Sequence, residues 1–276
     1  MRARATLSQL PADDNNTKLQ ETLPPGRLGF LEHIRIDYGP VDLLARFFLL
    51  ADSTARKLDV TLVFASMQEL VTANRKNSDS WRPLLPHYDP SYGGINSNNS
   101  FCILGLNHAG DVVATQAARL YALTDTSLFD EVTSLRLFYP RPDLQAREGE
   151  SCAVSALAAR AISGRIAFSG AAWYRPDYRG RDLVAALSRV SRAYAHAIWN
   201  TDHTVTFVSK SLVEKGFVQR CGYTNVEWGV ELRGFPIGPY YGALVWIGTG
   251  QMIEDLSVFM ANPGSKVDVG IRKRRA

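Results

Sequence analysis

Arg175, Arg179 and Arg181 crowd a short stretch between an apolar run and a long apolar-periodic segment. Basic side chains at a strand-to-helix turn suit one kind of chemistry, the holding of an anion. A helix N-terminus leaves its first backbone N–H groups without intrahelical partners, at the positive end of the helix dipole. A phosphate fits such a turn, and a pyrophosphate fits it better. Spacing supplies the helix. Leu183, Leu187, Val190, Tyr194, Ala197 and Ile198 recur at steps of three and four, which leaves Arg189, Arg192 and Asn200 to face water. Asp182 is placed to cap that helix or stand in its first turn. Ile166, Phe168 and the run Ala171–Tyr174 supply the strand, and Pro176 stops its pairing.

The elements around this turn follow from the same patterns. Val60–Ser66 reads as a first strand and Met67–Lys76 as a helix. Residues 82–100 form a loop rich in Pro, Gly, Asn and aromatics, marked by length and composition as a functional loop. Phe101–Leu106 and Val112–Leu123 read as a hairpin turning at Asn107–Gly110. Residues 124–150 form an insertion with a short helix and a Pro-rich turn, and Cys152–Ile162 suits either helix or strand. His203–Ser209 is a strand followed by a helix over Ser211–Arg220. Val226–Leu232 and Ala243–Gly248 are the final strands, and Gln251–Met260 a terminal helix. Val41–Arg56 is a helix with apolar residues almost all round. The organisation expected is a flexible arm (1–29), a helical extension (30–57), one α/β domain (58–262) and a basic tail (263–276).

Pro176-Asp-Tyr-Arg179-Gly180-Arg181-Asp182-Leu183-Val184 resembles the acetyl-CoA-binding motif of the GNAT superfamily, the Gcn5-related N-acetyltransferases. A second element follows at the family's distance: Phe217, Arg220, Gly222 and Tyr223 match the end of its second helix. The resemblance covers about Asp59 to Gly234. It implies an α/β (α+β) fold with a mixed, mostly antiparallel central sheet flanked by helices. It also implies acyl transfer from acetyl-CoA, or another acyl-CoA, to an amine on a small molecule or peptide. Backbone N–H groups of Arg179, Gly180, Arg181, Asp182, Leu183 and Val184 would then cradle the pyrophosphate, with charge from Arg175, Arg179 or Arg181. A backbone N–H near Trp173 or Tyr174 would polarise the thioester carbonyl. Ser211 stands where the family often begins its second helix with Asn.

The chain departs from the family pattern at Asp182 and Val184, where small residues are usual, and at Val218, where a proton-donating tyrosine is common. Two like charges ~4 Å apart repel by ~4 kcal/mol at an effective dielectric of ~20. That is a large share of the ~8 kcal/mol of a micromolar complex. A non-catalytic binding module on the same fold is therefore the alternative. The residues assign no general acid or base; Tyr240, Tyr241, Ser209, Ser211 and Cys221 are the candidates.

Composition narrows the remaining classes. Hydrophobic residues make up 46% of 276, enough for a core. The net charge of +4 equals the charge of the tail Arg272–Arg275, so the body is about neutral and a broad nucleic-acid face is not expected. Three scattered cysteines fit neither a disulfide scaffold nor a zinc site. His196 and His203 with Asp202 lack a metal-binding helical spacing, so no metal is expected. The sequence shows no apolar run of the ~18 residues a membrane span needs, and the N-terminus no signal-peptide core. Cytoplasmic residence and a homodimer through the apolar N-terminal helix are the expectations.

Overall fold

The computed structural model describes residues 29–180 and 183–261. In chain order the elements are α1 (Phe30–His33), α2 (Val41–Arg56), β1 (Thr61–Ala65), α3 (Met67–Lys76), β2 (Ser100–Leu106) and β3 (Val112–Leu123). Then come α4 (Leu128–Thr133), α5 (Pro142–Gln145), β4 (Ser151–Val154), α6 (Ala158–Ala161), β5 (Gly164–Tyr174) and α7 (Leu183–Trp199). The chain continues with β6 (His203–Ser209), α8 (Lys210–Glu214), α9 (Phe217–Arg220), β7 (Asn225–Arg233), β8 (Tyr240–Gly248) and α10 (Thr249–Ala261). The strands form one sheet in the order β1-β2-β3-β5-β6-β8-β7-β4. Every pairing is antiparallel except β5 with β6. This is the mixed, mostly antiparallel sheet flanked by helices that the resemblance implies.

Alternation along the strands gives the sheet two apolar faces. On one face, α2, α7 and α10 cover Leu62, Ile103, Ala118, Ala167 and Val245. On the other, Val63, Leu104, Ile166, Phe168 and Leu244 pack with Trp81, Tyr88 and Phe138 from the connections. Residues 30–57 build a wall of the first core, since Phe30, Leu44, Phe47 and Phe48 are fully buried there. A capping box starts α3: Ser66 accepts from the Glu69 N–H, and the Glu69 carboxylate accepts from the Ser66 N–H at 2.8 Å.

Two sequence expectations change and one left open is settled. Arg189 and Arg192 face the core, because α10 covers that flank of α7 and presents Asp255 to both. Arg189 and Arg192 also donate to the carbonyls of Arg220 and Cys221, at 2.9 and 2.6 Å. The helix expected over Ser211–Arg220 is two short ones, α8 and α9, because Gly216 takes a left-handed φ of 72°. Cys152–Ile162 divides into strand β4 and helix α6. Among the described residues no helix is long and apolar enough to cross a membrane.

Candidate functional site

The strand pair β5 and β6 runs parallel and is joined only through Ile166–Phe168 and His203–Val205. Beyond Phe168 and Val205 the two strands part. β6 stays with β8 along its whole length, from His203 to Ser209. β5 stays with β3 as far as Tyr174, but carries an extra residue between Gly170 and Trp173. That bulge puts Ala171 at φ 49° and is tied by Thr115, whose hydroxyl donates to the Ala171 carbonyl at 2.7 Å. The result is a wedge between two parallel strands at their C-terminal ends. Open α/β sheets bind ligands at such a divergence.

Backbone direction in the wedge follows from one hydrogen bond. The Arg175 N–H donates to Val113 O at 2.8 Å, on the β3 side. Successive N–H groups of a strand point to opposite sides in the sheet plane, so Trp173 shares the β3 side and Tyr174 faces the gap that β6 leaves. The Tyr174 carbonyl confirms this direction: Arg179 Nε donates to it at 2.9 Å, from outside the sheet. Of the two residues expected to offer an N–H to a carbonyl oxygen, Tyr174 has the facing geometry.

Past β5 the chain makes a short 3-10 turn, Pro176–Tyr178, and Gly180 follows at φ 77°. α7 begins at Leu183, with Leu183 buried and Val184 half-buried, and the N–H groups of a helix's first turn point back along its axis toward the preceding turn. Arg181 and Asp182 lie outside the described residues. Arg175 is taken by Asp177, at 2.8 and 2.9 Å, and also lies 3.6 Å from Asp111. Arg179 holds the Tyr174 carbonyl and reaches Ser80 O at 3.3 Å. Trp173 stacks on Trp81 at 5.1 Å, and its indole N–H donates to the Ser80 hydroxyl. α8 starts directly after β6, so both helices begin at the same end of the parallel pair; Ser211 is exposed there, 3.3 Å from the Ser209 hydroxyl.

The acid candidates from sequence divide by place. Tyr241 is exposed and stacks on Trp228. Tyr240 has a buried hydroxyl without a partner among the described residues, and burial pushes its pKa up. Cys221 is fully buried; burial raises its thiol to about 11 although Ser188 and three arginines pull it down. It is a thiol at neutral pH, not a nucleophilic thiolate. Val218 is core.

Sequence reasoning missed the hydroxyls that do meet beside the wedge. Ser169 accepts from Gln116 Nε2 at 2.9 Å and lies 2.9 Å from the Ser191 hydroxyl on α7. Ser188 and Ser169 face the Tyr223 hydroxyl and pull its pKa down against burial, which outweighs them. From the opposite face, the Tyr88 hydroxyl donates to Phe168 O at 3.2 Å and lies over Gly170. Burial raises both tyrosines, so both stay protonated, and each can donate. The aromatic loop 82–100 and the match at Tyr223 were the signals available; neither says that they meet.

No protein-family model and no curated protein matches the chain. Solved structures that superpose include an uncharacterised protein from Bacillus halodurans, at 12% identity and a TM-score of 0.43, over 74% of this chain and 93% of that one. A dodecameric spermidine N-acetyltransferase from Vibrio cholerae superposes at 11% identity and 0.43, over 75% and 99%. Mycobacterium smegmatis RimJ, in complex with CoA-disulfide, does so at 11% and 0.39, over 72% and 88%.

Proposed function

We propose that this chain is a CoA-dependent N-acyltransferase of the GNAT type, which moves an acyl group, acetyl in the first instance, from a thioester to an amine. The observation that carries the reading is the wedge between β5 and β6, bulged at Ala171 and followed at the same end by the N-terminus of α7. A thioester laid along β5 would present its carbonyl oxygen to the Tyr174 N–H, which strengthens as negative charge develops on that oxygen. N–H groups at the start of α7 suit the phosphates. Joining two substrates in one wedge supplies much of the rate by orientation alone.

The second reading, a binding module without turnover, is favoured by a specific observation. Arg175 is held by two carboxylates, and an apolar Val218 stands where the family often has its acid. Isothermal titration with acetyl-CoA and with a longer acyl-CoA separates the readings, repeated on Asp182→Gly. Micromolar binding by the wild type, with thiol release when an amine is added, is the expected result. Binding without release by any amine favours the module. Binding by Asp182→Gly alone says that the phosphate turn has been disabled. No binding by either overturns the proposal.

A further inference from the structure

A cleft of about 450 Å³ opens on the face of the sheet opposite α7, between α3, the loop that follows it, and the connections at Arg147 and Pro236. Trp81, Leu84, Pro86 and Tyr92 give it apolar walls. Charge enters from two sides. Arg75 stands in the last turn of α3, and Arg147 in the connection between α5 and β4. Elsewhere in the fold arginines are engaged, Arg56, Arg136, Arg189 and Arg192 by carboxylates, and Arg119, Arg165 and Arg179 by carbonyls. Among the described residues, the guanidinium groups of Arg75 and Arg147 have neither an ion-pair nor a hydrogen-bond partner.

The polar groups beside them are in use. Asp89, the one carboxylate among the described lining residues, accepts from the Ser91 N–H at 2.9 Å and caps the 3-10 turn Pro90–Tyr92. Asn74 donates to Arg82 O at 2.9 Å. The lining is therefore net positive, and its two cations are the groups left with nothing to hold. A planar guanidinium suits a carboxylate, which it can bind through two parallel hydrogen bonds. The same charge disfavours a polyamine.

The cleft abuts the wedge through Trp81. That indole stacks on Trp173 at 5.1 Å, and Trp173 is the β5 residue next to Tyr174. Ser80 ties the same turn to the end of β5: its hydroxyl accepts from the Trp173 indole N–H, and its carbonyl from Arg179, both at 3.3 Å. One indole pair separates the cleft from the Tyr174 N–H, so the cleft suits an acceptor's far end and not its reacting nitrogen.

We infer that the acceptor is an amine carrying a carboxylate on an apolar or aromatic body, and that Arg75 and Arg147 hold that carboxylate in the cleft. That the ligand is the acceptor rests on the acyltransferase reading; the preference for a carboxylate rests on the cleft alone. On transfer, the amine nitrogen bonds the acyl carbon and the C–S bond breaks, with its electron pair left on sulfur. One proton passes from nitrogen to sulfur, and the carboxylate is unchanged.

The test uses the full chain and two acids, phenylalanine and 4-(aminomethyl)benzoate, which space amine and carboxylate differently. Each is set beside its primary amide, and spermidine is the cationic probe. Calorimetry with each probe reads the cleft, and thiol release with acetyl-CoA reads the acceptor role. At least one acid binds about tenfold or more tighter than its amide and than spermidine, and its affinity falls as salt is raised. Arg75→Gln and Arg147→Gln each weaken that acid at least about fivefold, while acetyl-CoA affinity stays within about twofold. Both arginines are exposed, so neither substitution opens the core. Thiol release by the wild type favours the same acid. No binding of either acid, equal affinity for acid and amide in both pairs, or tighter binding of spermidine overturns the inference. So does a preference that both variants keep. A wild type that binds acetyl-CoA and the acid but releases no thiol with it overturns the acceptor role. Failure to bind acetyl-CoA, with the acid still held, overturns the acyltransferase reading instead and leaves a carboxylate site.

Discussion

On the α7 face of the sheet, Asp255 accepts from Arg189 at 2.9 Å and from Arg192, and both arginines also hold the end of α9. On the opposite face, His87 sits in an aromatic box with neither nitrogen partnered among the described residues, and Arg119 above it leaves its Nε unpartnered too. Both clusters are buried and charged or titratable. The first is nearly closed, with Arg192 Nε its one buried nitrogen lacking a partner among the described residues. Its product is a fixed α9 and, through it, a fixed Cys221 and Tyr223 beside the wedge. The second cluster is held only through backbone carbonyls, and its side-chain chemistry is left free. Polar groups that a fold uses for itself are satisfied by the fold. Those left over weaken it, by about 1–3 kcal/mol for a buried polar group left unmade.

Breaking the closed cluster has the largest expected effect. Asp255→Ala leaves two guanidinium groups, 2% and 0% exposed, without their carboxylate. Removing one partner of a buried ion pair costs about 3–5 kcal/mol. Urea unfolding of the variant against wild type reads this directly, and a change under about 1 kcal/mol would show that the arginines find water instead. Gly222→Ala strikes the same cluster from another side. Gly222 has φ 71°, and an added Cβ meets the Asp255 carboxylate and the Arg189 guanidinium.

At the wedge the expected effect is smaller. An added Cβ at Gly170 would lie 2.6 Å from the Tyr88 hydroxyl oxygen, at the end of a rigid ring. Gly170→Ala must push Tyr88 off the strand, at about 1–3 kcal/mol for overpacking. The same variant lowers thiol release if the Tyr88 hydroxyl serves the wedge, and leaves acetyl-CoA binding in place.

The open cluster has a pH signature of its own. Burial first, and Arg119 second, hold His87 well below the usual histidine range. An unfolded histidine takes a proton near pH ~6.5. Below that pH the unfolded state binds more protons than the folded one, so stability falls as pH falls. The slope from this residue approaches about 1.4 kcal/mol per pH unit. His87→Phe lacks it. His196 is lowered in the same direction by burial, but it is present in both proteins and cancels. The stability gap between His87→Phe and wild type therefore widens from pH 6.5 downward, and parallel curves in acid would show that His87 is protonated in the folded chain.

The sequence carried the architecture well and the electrostatics poorly. Helical spacing placed α7 from Leu183, and apolar runs placed α2 over Val41–Arg56 and the strands β5 and β6, because these patterns are written in consecutive residues. The same helical spacing sent Arg189 and Arg192 to water, since their partner stands more than sixty residues downstream on α10. The loop 82–100 stood out by its composition, yet the burial of His87 within it did not. Its distinction lies in the rings of Phe138 and Phe168 around it, and no local pattern records them.

The smallest effect expected belongs to Arg175, and it sharpens the contrast from outside both clusters. Arg175 is held by Asp177 and Asp111, at a partly exposed place where ion pairs contribute little, about 0–1 kcal/mol. Asp177→Asn should leave urea stability nearly unchanged. It removes a negative charge from the turn that the phosphates would occupy and leaves the Arg175 guanidinium with Asp111 alone. Acetyl-CoA binding then tightens, by roughly fivefold for each ~1 kcal/mol gained, and the gain shrinks as salt is raised. An affinity that does not move would mean that Arg175 serves the strand end and the loop at Asp111, and that the phosphates are held by backbone N–H groups alone.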